Sequence, residues 1–175
     1  MTGARPASGE YEHRRAGPLH RIVRRTAGWR PVSWFYSRAL DPADRWVYRL
    51  SGGRAMLTSW LAGLPIALLT TRGARSGLER TVPVVAIPDG DAVIVIASNY
   101  GARRDPAWAF NLRADPAARV RIDGRERPLL ARELAGADRD AAYRRGIDVY
   151  PGWIAYRRRA APRVIPVFRL EPPAE

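Results

Sequence analysis

The sequence predicts an α+β domain, a small β-barrel decorated with helices, and three observations carry that expectation. Strand-like apolar runs begin near the middle of the chain and recur to its end. Hairpin-type turn signals separate them. Helix starts fall late and irregularly, without the βαβ alternation of a doubly wound sheet. At 175 residues, 46% of them hydrophobic and six of them tryptophan, the chain has enough apolar material for one domain with a short extension.

The elements follow in order. Residues 1–17 are rich in Gly, Pro, Ala, Arg and Ser without a hydrophobic period, and are expected to form a disordered basic arm. Residues 18–62 read as an N-terminal helical segment. Leu19, Ile22 and Val23 share a helical face until Gly28 and Pro31 break the run, and Val32, Trp34, Phe35 and Tyr36 form an aromatic cluster. Asp41-Pro42 then starts a helix, with Asp as N-cap and Pro in the first turn, and Trp46, Val47 and Leu50 supply its buried stripe. The barrel is expected over 63–175. Its first strand is the apolar run 65–71, followed by the turn GARSG at 73–77. A second strand over 82–87 carries Pro83, which calls for a bulge or an unpaired edge position. PDGD at 88–91 turns into a third strand, 92–97. Asp105-Pro106 repeats the helix-start signature, its helix passes Trp108 and Leu112, and Asp115-Pro116 ends it. Short strands follow at 119–122 and 128–132 about an Asp123-Gly124 turn. Tyr143 and Ile147 mark a helix interrupted by Pro151, and 164–170 closes as the last strand.

Composition narrows the chemistry. There is no cysteine, and the two histidines, His13 and His20, lie in the polar N-terminal region. Thiol chemistry is excluded, and neither a His-based acid–base centre nor a zinc site is expected. If the protein does chemistry, a bound cofactor carries it. No run approaches the roughly 18 uncharged apolar residues of a membrane span, and arginines interrupt every apolar stretch near the N-terminus, so a cytoplasmic protein is expected. The net charge of +13, carried by arginine, admits a nucleic-acid surface, anionic lipid or a polyanionic cofactor. A compositional bias towards Arg, Ala, Gly and Pro explains part of it. No recognition helix or stacking platform accompanies the charge.

Two basic loops, each launched from a hydrophobic strand, stand out. In TTRGARSGLERTVP, Gly73 and Gly77 permit a tight turn and close approach of the backbone to a ligand. Arg75, Ser76 and Arg80 supply donors suited to phosphate or carboxylate. A solvated hairpin turn with surface arginines is the alternative. In ASNYGARRDPAW, Ser98 and Asn99 leave a buried strand, and Arg103 and Arg104 precede a helix whose N-terminus suits an anion. The Asp105 side chain is a competitor for the same amides. Trp108 sits where an indole can flank a planar ring or simply pack in the core. Tyr150, Trp153 and Tyr156, spaced by three, can line one wall. A core stripe is the alternative, and Arg157, Arg158 and Arg159 follow at once.

In this order the stretches LLTTRGARSGLERTVP, IASNYGARRDPAWAFNLRADP and VYPGWIAYRRR resemble the deazaflavin-dependent nitroreductase family, the split β-barrel quinone and nitro reductases of actinobacteria that use coenzyme F-420. The likeness covers roughly residues 45–170. It implies a split β-barrel in which Arg75, Ser76 and Arg80 contact the phosphate and acidic tail of reduced F-420. By the same likeness, Val82, Pro83 and Val84 run along the ring system, and Ala97, Ser98 and Asn99 lie near the ring and phosphodiester. Ala107, Trp108 and Asn111 complete the cleft, and Tyr150, Trp153 and Tyr156 form the substrate wall. The implied reaction passes hydride to an electron-poor aromatic acceptor, a quinone first and nitroaromatics second. Ser98, Tyr150, Tyr156 or water supplies the proton.

This chain departs from the family pattern twice. Asn99 stands where the family commonly has lysine, with Arg103 or Arg104 as replacements for the lost cation. Trp153 stands where some members have a tyrosine tied to proton donation, so the likeness carries cofactor binding further than nitroreduction. A flavin mononucleotide enzyme on the same barrel, a non-catalytic cofactor carrier and a basic nucleic-acid module are the competing readings. Residues 18–40, basic, aromatic and partly amphipathic, suit packing on the barrel, closing the site, a dimer contact, or peripheral contact with anionic lipid.

Overall fold

Six antiparallel strands close on themselves in the order β1-β2-β3-β6-β5-β4. The computed structural model describes residues 64–122 and 124–173. The expectations for the 1–17 arm, for residues 18–62, including membrane contact through 18–40, and for Asp123 lie outside them. The strands are β1 (Ile66–Arg72), β2 (Glu79–Asp89), β3 (Ala92–Ile96), β4 (Ala117–Ile122), β5 (Arg125–Glu133) and β6 (Val167–Glu171). Helix α1 (Ala107–Ala114) follows a short turn at Asn99–Gly101, and α2 (Gly136–Val149) and α3 (Gly152–Ala160) lie between β5 and β6.

Side-chain alternation divides the core in two. From β3, Val93 and Val95 join a cluster drawn from all six strands, with Leu69, Val84, Val120, Leu129, Phe168 and Leu170, which fills the barrel. Ala109 and Leu112 of α1 enter the same cluster. The other face of β3, Ile94 and Ile96, packs with Tyr143, Val149, Tyr150, Trp153 and Tyr156 of the α2–α3 segment. Both faces of β3 are therefore covered, which explains why its sequence is an unbroken apolar run rather than an alternation. Burying each such aliphatic side chain contributes roughly 1.5–3 kcal/mol.

Strand β2 extends beyond the predicted 82–87 because it serves two neighbours in succession. Glu79–Val85 pairs with β1, whereas Ala86–Asp89 pairs with β3. Pro83 lies in the β1-paired half, opposite Leu68, so its missing N–H costs no bond to β3. The edge-position expectation therefore holds.

Strand β6 starts at Val167 rather than Val164. Ala97 already donates to the Pro166 carbonyl at 2.9 Å, but Pro166 has no N–H to continue a ladder, and Val164 is 70% exposed. The capping expectation at Asp105 requires correction. Pro106 is the N-cap of α1, and no side chain caps the helix. The Asp105 carboxylate is drawn instead to two guanidinium groups, Arg163 at 2.6 Å and Arg113 at 2.9 Å, where charge-assisted bonds outweigh a cap.

Candidate active site

The change of partner along β2 opens the barrel wall. The β2–β3 ladder ends at Ala86 and Val95. Continued in register it would set Val84 opposite Ala97, Pro83 opposite Ser98 and Val82 opposite Asn99. Instead Ser98 folds back to donate to the Ile96 carbonyl at 2.8 Å, and the chain enters a left-handed turn. The two backbone stretches singled out in the sequence, 82–84 and 97–99, thus flank one split. Val84, Ala97 and Ser98 are buried there, and Pro83 is exposed.

One end of the split is bordered by the β1–β2 loop. Gly77 adopts φ +66° and donates to the Gly73 carbonyl at 2.8 Å, and Gly73 donates to the Leu78 carbonyl at 2.8 Å. A Cβ at Gly73 would sit 2.7 Å from Ser76 Oγ. Ser76 Oγ accepts from Leu78 N–H at 3.4 Å, so its hydroxyl shapes the loop as well as facing solvent. Asn111, buried on α1, pins the loop from behind. Its Oδ1 accepts from Ala74 N–H at 3.0 Å, and its Nδ2 donates to Thr71 Oγ1 at 3.0 Å. Arg75 and Arg80 are exposed, and among the described residues no carboxylate pairs with either, nor with Arg103 or Arg104 of the second loop. This contrasts with the barrel surface, where Arg119 pairs with Glu79 and Glu126, and Arg145 and Arg169 share Asp89.

The second loop carries the N-terminal end of α1 to the same region. Because Asp105 is committed to arginines, no side chain caps the first amides of α1, and those amides keep their attraction for an anion. Asn99 Nδ2 donates to the Arg104 carbonyl at 3.0 Å, so this amide braces its loop where the family's lysine would carry a charge. Trp108 lies edge-on to Phe168, with ring centroids 5.9 Å apart. It is both a core residue and a partly exposed one.

Helix α3 brings the predicted aromatic trio together. Tyr150 and Trp153 meet edge to face at 5.6 Å, and Tyr150 and Tyr156 lie 5.8 Å apart with their hydroxyls hydrogen-bonded at 3.0 Å. All three are buried, so they form a packed wall rather than an open one. Trp153 Nε1 donates to Ser98 Oγ at 3.3 Å. That bond ties the wall to the split, and it leaves the Ser98 proton available for donation. Burial, reinforced by the neighbouring Tyr156, pushes the Tyr150 phenol well above its ordinary range. Tyr143, whose hydroxyl donates to the Trp153 carbonyl at 2.9 Å, is pushed up by burial to about 12.

Sequence reasoning missed Arg163. Its guanidinium donates to the carbonyls of Ala97, Ser98 and Ala102 and to Asp105, yet in the sequence it is one basic residue among thirty. It also missed how closely neighbours approach Gly146 and Gly101, the latter legible only as a loop glycine. A Cβ at Gly146 would meet Ile96 Cδ1 and the Trp153 ring, and one at Gly101 would sit 2.9 Å from the Tyr156 carbonyl.

A barrel opened between two strands, with unpaired cations at one end of the opening, defines a split-barrel protein whose cleft suits an anionic bound group. Among the described residues no His, Cys, Asp and Glu gather in a set able to hold a metal. The chain belongs to the F420H(2)-dependent quinone reductase family, whose model matches residues 43–172. It is 31% identical over 109 residues to a Mycobacterium tuberculosis protein named provisionally as an F420H(2)-dependent quinone reductase, covering 62% of this chain and 91% of that one. An F420H(2)-dependent quinone reductase of the same organism is 32% identical over 97 residues, which span 55% of this chain and 64% of that relative.

Among solved structures, an F420-H2 dependent reductase, FDR-A, matches at 35% identity and TM-score 0.57, over 61% of this chain and 94% of that one. Another, described as a domain-swapped dimer, matches at 30% identity and TM-score 0.59, over 81% and 99%. The family's hydride donor is reduced F-420, and the split, with its unpaired arginines and uncapped helix, fits such an anionic, planar group. No helix among the described residues is long and apolar enough to cross a membrane.

Proposed function

We propose that this protein holds reduced F-420 in the split and presents its ring to a quinone, with other electron-poor aromatics, nitroaromatics among them, as secondary acceptors. The observation that carries the reading is the end of the β2–β3 ladder between Val82–Val84 and Ala97–Asn99, with Arg75, Arg80, Arg103 and Arg104 unpaired beside it among the described residues. When bound, the deazaflavin supplies the hydride. Arg75, Ser76 and Arg80 bind its phosphate and acidic tail, with charge-assisted bonds that a neutral surface would lack. Val82, Pro83 and Val84 would line one side of the bound group. Ala97, Ser98 and Asn99 would line the other, Ala107 and Trp108 would close the cleft, and Asn111 acts from behind by holding the first loop. The chain's work is orientation and exclusion of water, which requires no catalytic Cys or His.

Quinone reduction also takes up a proton. Ser98, whose Oγ accepts the Trp153 indole N–H, offers its own hydroxyl proton towards the split and is refilled from solvent. Tyr150 stays protonated at every physiological pH, because burial opposes its ionisation. Its part, with Tyr156 and Trp153, is to hold the acceptor side of the cleft and to keep it dry. Anaerobic oxidation of reduced F-420 by a soluble menaquinone analogue tests the reading. The wild-type chain is expected to turn over, and R75E/R80E to lose about a hundredfold or more in cofactor affinity. Unchanged affinity in the double variant would remove the phosphate role from these arginines.

A further inference from the structure

We propose that Arg163 is a positioning residue of this site: it locks the left-handed turn at Asn99–Gly101, and with it the strand edge that faces Val82–Val84 across the split. Its consequence for cofactor binding rests on the functional reading above; the clamp itself rests on geometry alone. Three consecutive residues, Asn99, Tyr100 and Gly101, have φ of 46°, 53° and 78°. Two of them carry side chains, for which this conformation is strained and persists only where the surroundings over-determine it. The turn's own bonds, Gly101 N–H to the Ser98 carbonyl at 2.9 Å and Ala102 N–H to the Asn99 carbonyl at 2.8 Å, are few for that task.

The Asn99 amide bond to the Arg104 carbonyl and the edge contact of Tyr100 with Tyr156 add to them, and Arg163 makes the largest set of ties. Nε and Nη2 donate to the Ala102 carbonyl at 3.0 and 2.9 Å, and Nη2 donates to the Ser98 carbonyl at 2.9 Å. Nη1 donates to the Ala97 carbonyl at 3.3 Å and to Asp105 Oδ1 at 2.6 Å. One planar group thus ties the residues before, after and beyond the strained turn. Its side chain and that of Asp105 are 14% and 12% exposed, so little water competes. On its other side the turn is pressed against α3, where Gly101 leaves no room for a Cβ beside the Tyr156 carbonyl and Arg159. Arg163 makes none of the contacts assigned to the cofactor; it acts through the position of Ala97, Ser98 and Asn99. A lysine, a point charge with no fork, cannot span three carbonyls and a carboxylate at once.

The test compares wild type, R163K, Y100G and R163K/Y100G as full-length chains. Hydrogen exchange without cofactor is followed by titration with F-420. The expectation is that R163K speeds exchange of the 97–105 amides tenfold or more while the amides of β1, β4 and β5 keep their rates. F-420 affinity falls about tenfold. Because glycine adopts positive φ without strain, Y100G restores part of that affinity in the R163K chain.

Unchanged exchange over 97–105, acceleration shared equally by all strands, unchanged affinity, or strictly additive losses in the double variant would each overturn the proposal. Should the wild type bind no deazaflavin, the functional reading falls. The exchange experiment would then support or overturn the clamp by itself.

Discussion

Asn111 shows how a polar residue in a core commits its neighbours. Its amide is satisfied at both ends, by Ala74 N–H and Thr71 Oγ1, at a buried polar spot beside the apolar core. N111L keeps the volume but removes both partners, leaving Thr71 buried and the loop unpinned. A loss of about 2–3 kcal/mol is expected in urea unfolding, with weakened F-420 binding because Arg75 and Arg80 lose their platform. Tyr143 and Tyr150 make a second prediction. Both phenols are pushed above their ordinary value by burial. In the unfolded chain they ionise near the usual pKa of about 10, so between that value and the folded one the unfolded state holds fewer protons. Stability is therefore fully present below about pH 10 and lost as pH rises beyond it. In a spectrophotometric titration these two tyrosines should ionise only as the fold is lost. A smooth titration of every tyrosine near pH 10 with the barrel intact would contradict their burial.

At the scale of elements, the turns separate two uses of glycine. Gly77 and Gly101 both have positive φ, but a Cβ at Gly77 meets open space, whereas one at Gly101 meets the Tyr156 backbone and Arg159. G77A is expected to cost about 1 kcal/mol, the left-handed term alone. G101A should cost at least twice that and also displace the second loop from α3; thermal unfolding of the two variants measures the difference. Equal shifts would mean that α3 does not press on the turn. The sequence legibly marked both glycines as loop residues, since each stands in a basic Gly-containing turn after a strand. It could not separate them, because the space around a Cβ depends on α3, more than fifty residues away. The same reason hid the end of α1. Asp105-Pro106 has the form of a cap, and only tertiary folding brings Arg163 to compete for the carboxylate.

For the whole molecule, the strands, their order along the chain and the barrel were readable from hydrophobic runs and turn residues. The split was not. Nothing in ERTVPVVAIPD says that its first half pairs with β1 and its second with β3, although Pro83 hinted at an unpaired edge. The candidate site was legible as two loops and an aromatic trio, whereas the burial of that trio and the bond from Trp153 to Ser98 depend on how α3 lies on the barrel. The net charge of +13 also resolves only in three dimensions. Arg119, Arg121, Arg132 and Arg169 on the strands find carboxylates, whereas Arg75, Arg80, Arg103 and Arg104 beside the split, like Arg125 and Arg127 on β5, have none among the described residues. Binding at the split should accordingly weaken as salt screens it. The measurement that reaches the central claim most directly is a fluorescence-quench titration of the full-length protein with F-420, run beside flavin mononucleotide at low and high salt. Low-micromolar or tighter binding of F-420, weakened by salt and well ahead of the flavin, is the predicted result. Preference for the flavin, or no binding of either, would contradict it.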